Sequence, residues 1–247
     1  MKSRAAFPAR LDSTPRPARA DLPRPAPRVH EADSGSARVN LVHKLRSGGI
    51  SDARVLAAMG AIERHRFVDS ALRTQAYEDT SLPIGLGQTI SKPSVVARML
   101  ELLHQGASAR LGRVLEIGTG CGYQAAVLSQ VVGEVYSIER LRALHEKARD
   151  NLRHFRIPNL HLLFGDGLLG YPRGAPYSAI IAAAVSRSVP QAWVDQLAPG
   201  GRIVMPVASG PALSAPQALW VLDKTERGMQ QTVLEPVRFV PLKSGLA

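Results

Sequence analysis

Apolar residues in the first third of the chain recur at helical spacing and predict three short helices. The first ends at Gly48-Gly49, and the second has Ser51 or Asp52 as its N-cap. The third follows Ser91, its expected N-cap, with Pro93 in its first turn. The apolar positions are Val39, Val42 and Leu45 in the first helix, Val55, Leu56 and Met59 in the second, and Val95, Val96, Met99, Leu100 and Leu103 in the third.

Between the second and third helices lies a glycine-containing segment with the sequence Leu-Pro-Ile-Gly-Leu-Gly-Gln-Thr-Ile-Ser at 82–91. Its glycines and proline interrupt any regular period. We therefore expect an ordered loop here rather than a helix or a strand.

From residue 113 onward, short apolar runs alternate with helical segments. This alternation predicts an α/β fold with a doubly wound, mostly parallel sheet, helices on both faces and right-handed crossovers. The last two strands have no helix between them, which suits an antiparallel C-terminal edge. The predicted strands are 113–117, 135–138, 160–164, 179–183, 202–207, 218–222 and 233–242, and the predicted helices run through 125–128, 141–154 and 189–197.

Residues 1–36 are rich in Pro, Arg, Ala and Ser and show no apolar period. Such a segment buries too little surface to offset its ordering entropy, so we expect a disordered extension. The remainder, 37–247, is expected to form a single domain. It divides into an N-terminal helical part at 37–105 and an α/β core at 112–247.

The composition argues against several classes of protein and site. No apolar run is long enough to predict a membrane span, and the single cysteine, Cys121, excludes an internal disulfide or a Cys-rich zinc site. The histidines show no ligand spacing, so no metal is expected. The net charge of +11 comes without blocks of like charge, which favours a basic surface over a nucleic-acid site. We expect a monomeric, cytoplasmic protein.

A glycine-rich turn, Glu116-Ile-Gly-Thr-Gly-Cys-Gly-Tyr123, separates a predicted strand from a predicted helix. Gly118, Gly120 and Gly122 let the backbone turn sharply and let a ligand lie against bare main chain. Open parallel sheets bind ligands at this position, beyond the carboxyl ends of the strands. The spacing differs from the G-x-G-x-x-G of dinucleotide sites. Glu116 would repel a diphosphate but attract a cationic amino-acid group, directly or through water.

Acidic residues also follow the next two predicted strands. Glu139 ends the second strand, where a carboxylate can accept both ribose hydroxyls. Asp166-Gly167 follows the third strand and is placed to meet an adenine. With Thr119 and the other residues of the glycine loop, these features predict a site for S-adenosyl-L-methionine, and the loop spacing disfavours a dinucleotide oxidoreductase.

At these residues the chain resembles the protein-L-isoaspartate (D-aspartate) O-methyltransferase family, whose members have a Rossmann-like methyltransferase fold. The resemblance runs from about residue 38 to residue 247 in one order. The Pro-Ile-Gly-x-Gly-Gln-Thr-Ile-Ser loop and the closing Arg-Phe-Val-Pro-Leu strand are the parts most particular to the family. The segments that carry it are 82–91, 114–123, 138–140, 165–167 and 237–242.

The resemblance implies a protein repair enzyme. It transfers a methyl group from S-adenosyl-L-methionine to the free α-carboxylate of L-isoaspartyl and D-aspartyl residues in damaged proteins and peptides. The family's active-site serine corresponds to Ser91, and Gln88, Thr89 and Ile90 of the same loop are expected to bind the substrate. The alternative roles are an N-cap for Ser91 and turn hydrogen bonds for Gln88 and Thr89.

Several positions depart from the family pattern. Lys92 stands where Gln is common, and Ser178 stands where an acid is usual. Ala182-Ala183-Ala184 replaces a more polar stretch beside the expected reaction centre, so these changes are expected to affect turnover or substrate preference. Cys121 replaces a more frequent Ser, and a packed small side chain is the favoured interpretation over a nucleophile.

Three alternatives remain open from the sequence. The first is another methyltransferase of the same fold that acts on nucleic acid or a small molecule. It is disfavoured because Ala182-Ala183-Ala184-Val185 stands where base N-methyltransferases carry an Asp/Asn-Pro-Pro-aromatic element. The others are a non-catalytic protein that binds S-adenosyl-L-methionine and the oxidoreductase already disfavoured.

Overall fold

A computed structural model describes residues 31–106, 110–210, 212 and 215–247. The first part of the chain holds three helices and one β-hairpin. Helices α1 and α2 precede the hairpin, and α3 follows it. Their bounds are Glu31–Ser47 for α1, Ala53–Ala61 for α2, Leu82–Gly85 for β1, Gln88–Ile90 for β2 and Pro93–His104 for α3.

The remaining elements alternate as the sequence predicts. The strands are β3 at Arg113–Ile117, β4 at Glu134–Glu139, β5 at Leu160–Phe164, β6 at Tyr177–Ala182, β7 at Leu197–Ala208, β8 at Gln217–Thr225 and β9 at Gly228–Val237. The helices are α4 at Tyr123–Val131, α5 at Arg142–Leu152 and α6 at Gln191–Gln196.

Seven strands form one sheet in the order β5-β4-β3-β6-β7-β8-β9. The pairs from β5 to β7 are parallel, and β8 and β9 add antiparallel strands at the edge. This confirms the doubly wound, mostly parallel sheet and its antiparallel C-terminal edge. The strand order reverses at β3, which pairs with β4 on one side and β6 on the other.

Apolar side chains cover both faces of the sheet. On one face, Val114, Val135 and Ile181 belong to a large buried cluster that includes residues from α1 to α5. On the other face, Ile117 and Ile180 belong to a smaller cluster centred on the fully buried Trp193 of α6. Burying these side chains between the layers drives the sheet and helices together.

The N-terminal boundary differs from the expected disordered extension. Helix α1 begins at Glu31, so residues 31–36 are helical, and residues 1–30 of the predicted extension lie outside the described residues. The helix is held by Leu41 and Leu45, which are buried in the larger cluster. The predicted end of the extension, residue 36, is therefore too far along the chain. Helix α1 starts earlier because its later residues pack into the core.

The prediction of a loop without strands at 82–91 was wrong. Leu82 pairs with Ile90 and Pro83 with Thr89 in an antiparallel hairpin. Leu82, Ile84 and Ile90 are buried, which is the alternation of a strand. The glycines are confined to the turn, where Gly85, Leu86 and Gly87 all have positive φ.

The prediction that Ser91 caps α3 was also wrong. The N-cap residue is Lys92, whose side chain makes no capping hydrogen bond, and Pro93 starts the helix. The missing cap comes from a distant residue. The Asp79 carboxylate accepts hydrogen bonds from Ser94 N and Ser94 Oγ, both at 2.8 Å. Ser91 is therefore not needed to cap the helix.

The last predicted strand, 233–242, is shifted. Strand β9 ends at Val237, and the following segment leaves the sheet. It instead runs alongside Val185, whose amide donates to Val240 O and whose carbonyl accepts from Leu242 N, both at 2.8 Å. The Arg-Phe-Val-Pro-Leu sequence therefore continues toward the ends of β3 and β6 instead of extending the edge.

Replacement of Asp79 tests the distant cap. We expect Asp79→Ala to lower the free energy of unfolding by about 1 kcal/mol, the usual cost of losing a helix cap. Urea unfolding followed by circular dichroism measures it. The control is Asp150→Ala, which removes an exposed i,i+3 ion pair with Arg153 that is worth about 0.2–0.5 kcal/mol. Equal losses in the two variants would contradict the capping role.

Candidate functional site

A cavity of about 680 Å³ opens at the carboxyl ends of β3 and β6, where the strand order reverses. It lies between the hairpin and the α/β core, and both contribute to its walls. Its walls are the residues after β3, the end of β4 with the start of α5, the hairpin, and the segment 240–247. This is the position at which open parallel sheets bind their ligands.

The glycine loop forms the floor of the cavity, but its glycines differ in role. Gly118, Thr119 and Gly120 line the cavity. Gly120 has a φ of 56°, and a Cβ there would lie 3.2 Å from Ile84 Cδ1 of the hairpin. Gly122, at φ 92°, does not line the cavity: a Cβ there would lie 2.8 Å from Leu152 Cδ1 of α5. Gly122 therefore lies at a packing contact with α5 rather than in the cavity lining.

Glu116 lies behind the loop rather than in the cavity. Its side chain is fully buried and accepts a hydrogen bond from Ser137 Oγ, which also contacts Thr119 Oγ1 at 2.6 Å. Burial raises the pKa of Glu116 to about 8, and Ser137 and the nearby Gln124 offset part of this rise. Glu116 is absent from the cavity lining, so the structure does not bring it to the position expected for direct pairing with a ligand.

Of the acidic residues predicted for the site, Glu139 is the one that the structure places at the cavity wall. Its Oε2 accepts from Gly120 N and its Oε1 from Leu141 N, each at 2.9 Å. These two backbone bonds fix the carboxylate between the glycine loop and the start of α5. A carboxylate oxygen has room for a second hydrogen bond, so Glu139 keeps acceptor capacity toward the cavity.

Asp166 and Gly167 make different contacts and so have different places in the site. The Asp166 carboxylate accepts from Leu168 N at 2.9 Å and from Gly245 N at 2.6 Å, so it holds the 240–247 segment in place. Gly167 lines the cavity, and its carbonyl accepts from Trp193 Nε1 at 2.8 Å. Of the predicted pair, Gly167 reaches the cavity directly, whereas Asp166 anchors the wall.

The hairpin brings Gln88, Thr89, Ile90 and Ser91 to the cavity, as predicted from the sequence. Gln88 Nε2 makes one long hydrogen bond to Leu86 O at 3.4 Å, in agreement with its turn alternative. The hydroxyl of Ser91 makes no hydrogen bond to any other residue that the structure describes, while its carbonyl accepts from Arg64 Nη2 at 2.8 Å. The Ser91 hydroxyl is therefore available to a ligand.

The departures from the family pattern lie in different places. Ser178 Oγ accepts from Gly112 N at 3.3 Å at the amino end of the sheet, away from the cavity, so the expected effect on turnover has no basis in its position. Ala183 and Ala184 do line the cavity. Cys121 is buried, and burial raises the pKa of its thiol, which agrees with a packed side chain rather than a nucleophile.

Sequence reasoning missed several residues at or beside the cavity, among them Gln124, Lys147 and Arg64. Gln124, the second residue of α4, lines the cavity, and its amide makes no hydrogen bond of normal geometry with a described residue. Lys147 Nζ donates to Ile84 O at 2.9 Å and so ties the hairpin to α5. Arg64 is fully buried below the hairpin. Gln124 follows the glycine loop directly, whereas Lys147 and Arg64 reach the site through tertiary contacts that no sequence spacing indicates.

Two classes of feature are absent from the described part of the chain. No group of three or more His, Cys, Asp or Glu side chains within it is arranged to hold a metal ion. None of its helices is long and apolar enough to span a membrane.

The buried Glu116 makes stability depend on pH. The folded state holds the proton between the ordinary pKa of 4.5 and the raised value of about 8. The unfolded chain has released it there, so the free energy of unfolding falls as pH rises through this window. We expect Glu116→Gln, which cannot ionise, to make the decline shallower. Urea unfolding at intervals from about pH 5 to 8.5 measures it.

The matched control is Glu134→Gln, at the partly exposed start of β4, which leaves the surroundings of Glu116 intact and should keep the wild-type slope. An unchanged slope in Glu116→Gln would show that the buried carboxyl does not hold its proton.

Comparison with known proteins gives a consistent result. A sequence profile of the protein-L-isoaspartate(D-aspartate) O-methyltransferase family matches residues 36–247. A protein-L-isoaspartate O-methyltransferase of Ralstonia nicotianae is 57% identical over 224 residues, which cover 86% of this chain and 70% of the relative. The protein of the same name from Methylibium petroleiphilum is 52% identical over 97% of this chain and 96% of the relative.

Solved structures agree with these relatives. A protein-L-isoaspartate O-methyltransferase structure has a TM-score of 0.75 and 33% identity, and covers 85% of this chain and 67% of that chain. A structure from Plasmodium falciparum, named a beta-aspartate methyltransferase in complex with S-adenosyl-L-homocysteine, has a TM-score of 0.71 and covers 83% of this chain and 97% of that chain. At 23% identity it supports the fold alone. The match of the family profile over most of the chain, together with the high identity to these relatives, shows that this chain belongs to the protein-L-isoaspartate(D-aspartate) O-methyltransferase family.

Proposed function

We propose that the protein methylates the free α-carboxylate of L-isoaspartyl and D-aspartyl residues in the cavity between the hairpin and the glycine loop. Family membership makes the chain a transferase that uses S-adenosyl-L-methionine and acts in protein repair. The observation that carries the proposed site is that one cavity is lined both by the hairpin with Ser91 and by the glycine loop with Glu139.

The residues present fit S-adenosyl-L-methionine. The backbone of Gly118 and Gly120 is open to the cavity, Glu139 has spare acceptor capacity, and the Gln124 amide lacks a normal hydrogen-bond partner. A polar group left without a partner at a cavity wall is ready to bind a ligand. When bound, the cofactor supplies a methyl group already activated by its sulfonium.

Each part of the cavity has a proposed task. Glu139 accepts hydrogen bonds from the ribose hydroxyls of the cofactor, and Gly167 lies beside its adenine. Gln124 and the amides of the glycine loop hold the amino-acid end. Glu116 acts indirectly, since it lies behind Thr119 and Ser137 and contributes by fixing the loop.

The chemistry requires positioning rather than acid–base catalysis. The substrate carboxylate has a pKa of about 4 and is ionised at neutral pH, so no general base is needed. Ser91 donates its free hydroxyl to one carboxylate oxygen and leaves the other directed at the methyl group. The apolar wall of Ala183 and Ala184 excludes water from the reacting pair. The glycine loop and Glu139 would hold the cofactor, which would supply the methyl group to the carboxylate that Ser91 positions.

Other features support the protein substrate over the alternatives. The residues after β6, Ala183 and Ala184, provide no polar side chain for hydrogen bonding to a nucleic-acid base. The exposed Leu86 at the hairpin tip gives the cavity mouth an apolar contact suited to a peptide. We further propose that the protein acts as a cytoplasmic monomer, in agreement with its single buried cysteine.

The proposed role of Ser91 is tested with paired peptides that differ only in an isoaspartyl or a normal aspartyl linkage. We expect base-labile methyl label only on the isoaspartyl peptide. Ser91→Ala should lower kcat/KM at least about tenfold, because a hydrogen bond to a charged group is worth about 1.5–3 kcal/mol.

The control variant is Ser81→Ala, an exposed serine just before the hairpin, which should retain wild-type kinetics. Label on both peptides would contradict the substrate assignment, and unchanged kcat/KM in Ser91→Ala would remove Ser91 from the reaction.

Replacement of Glu139 tests the cofactor site separately. We expect Glu139→Gln to weaken S-adenosyl-L-methionine binding about tenfold or more, since the amide loses the charge-assisted acceptor; each tenfold corresponds to about 1.4 kcal/mol. Isothermal titration calorimetry measures the Kd. Glu134→Gln on the same strand, where the carboxylate pairs with Arg113 at the surface, should leave the Kd within about twofold. Equal affinity in both variants would refute the role of Glu139.

A further inference from the structure

Arg64 is a fully buried cation at the junction between the hairpin and the glycine loop. It begins the 3₁₀ helix Arg64–Phe67, and no part of it is exposed. No salt bridge to Arg64 occurs within the described ranges, and burial lowers the pKa of its guanidinium. A buried charge without a carboxylate partner costs folding free energy, so its remaining contacts show what it provides.

The hydrogen bonds of Arg64 go to the two ends of the hairpin. Its Nη2 donates to Ser91 O at 2.8 Å, directly after β2, and lies 3.4 Å from Thr80 O, shortly before β1. A single guanidinium nitrogen therefore joins both chain ends from which the hairpin projects. The carbonyl it holds belongs to the same residue whose hydroxyl is free in the cavity.

The second contact of Arg64 is with the cofactor side of the site. Its Cζ lies 4.8 Å from the centre of the Tyr123 ring, within the range of a cation–π interaction. Tyr123 is the first residue of α4, directly after the glycine loop, and also lines the cavity. Its hydroxyl is directed at Met59 Sδ at 3.7 Å, which fixes the ring below the loop.

The other two nitrogens of the Arg64 guanidinium group do not take part in these links. Nε and Nη1 make no hydrogen bond of normal geometry within the described ranges. An apolar side chain of similar volume would avoid that cost, but it would take away the donor that Arg64 gives to Ser91 O. The satisfied contacts of Arg64 connect two segments of one reaction site, which points to a role in the reaction rather than in stability.

We propose that Arg64 is a positioning residue for methyl transfer, in which its guanidinium fixes Ser91 at a set distance from the glycine loop. The proposal rests on the proposed function, since it assigns Arg64 a role through Ser91. A misplacement of about 1 Å between reacting groups can cost about a hundredfold in rate. Arg64 prevents such a shift by holding the Ser91 backbone against the residue that follows the loop.

The test is a double-mutant cycle between Arg64→Met and Ser91→Ala, assayed with the isoaspartyl peptide. We expect Arg64→Met to lower kcat about tenfold or more, with the Kd for S-adenosyl-L-homocysteine within about threefold of wild type. In the Ser91→Ala background the same replacement should cost less than about threefold, because the hydroxyl it positions is already absent. Arg64→Lys, which keeps the charge and one donor nitrogen, should restore part of the rate.

The control is Arg66→Met, two residues further on, which removes an exposed ion pair with Glu63 and should leave every measured quantity unchanged. Urea unfolding of each variant accompanies the kinetics. Should Arg64→Met fail to fold, Arg64→Lys replaces it in the cycle, since it retains the buried cation.

The outcomes separate the two proposals. Absence of methyl transfer by the wild type overturns the proposed function and the role of Arg64 with it. Transfer by the wild type, with losses that simply multiply in the double mutant, overturns the positioning role alone. A loss of cofactor affinity as large as the loss of kcat also overturns it, because Arg64 would then support the glycine loop rather than Ser91.

Discussion

The parallel pairing of β3 with both β4 and β6 is the constraint on which the rest of the structure depends. Since the chain leaves β3 toward one side of the sheet and returns on the other, its connections cover opposite faces and separate above the strand ends. The crevice that results receives the glycine loop from β3, Glu139 from β4 and the alanines after β6. The position of the site is therefore determined by the strand order rather than by individual side chains.

The α/β core supplies only half of that site, and the other half is fixed to it by a few polar contacts. Lys147 holds the middle of the hairpin and Arg64 holds its ends, while Asp166 holds the segment 240–247. Each of these side chains bonds to backbone atoms of a segment distant in sequence. Bonds to the backbone place a segment without restricting which side chains it carries, so the residues that face the cavity remain free to act on a substrate.

The sequence predicted the elements with a regular apolar period and the residues adjacent to them. The strands from β3 to β8, Gly118, Gly120 and Glu139 follow from alternation and from their position at strand ends. Arg64 has no such position, because tertiary packing alone brings it beneath the hairpin. Gln124 lies two residues after Gly122 and was overlooked although it is close to the loop in sequence. Asp166 was predicted as a site residue from the sequence. Its contact with Gly245, 79 residues away, could not be predicted because no local sequence pattern indicates it.

The wall formed by 240–247 has a consequence for how the domain holds together. The cavity is lined by residues from Ile84 to Ala247, so it is complete only when the hairpin, the glycine loop and this segment are in place at once. A ligand that binds the native form alone raises the free energy of unfolding by an amount that grows with the ratio of its free concentration to its Kd. Occupancy of the cavity therefore couples segments that have few contacts with one another, and the domain with its ligand unfolds as a more cooperative unit than the protein part by itself.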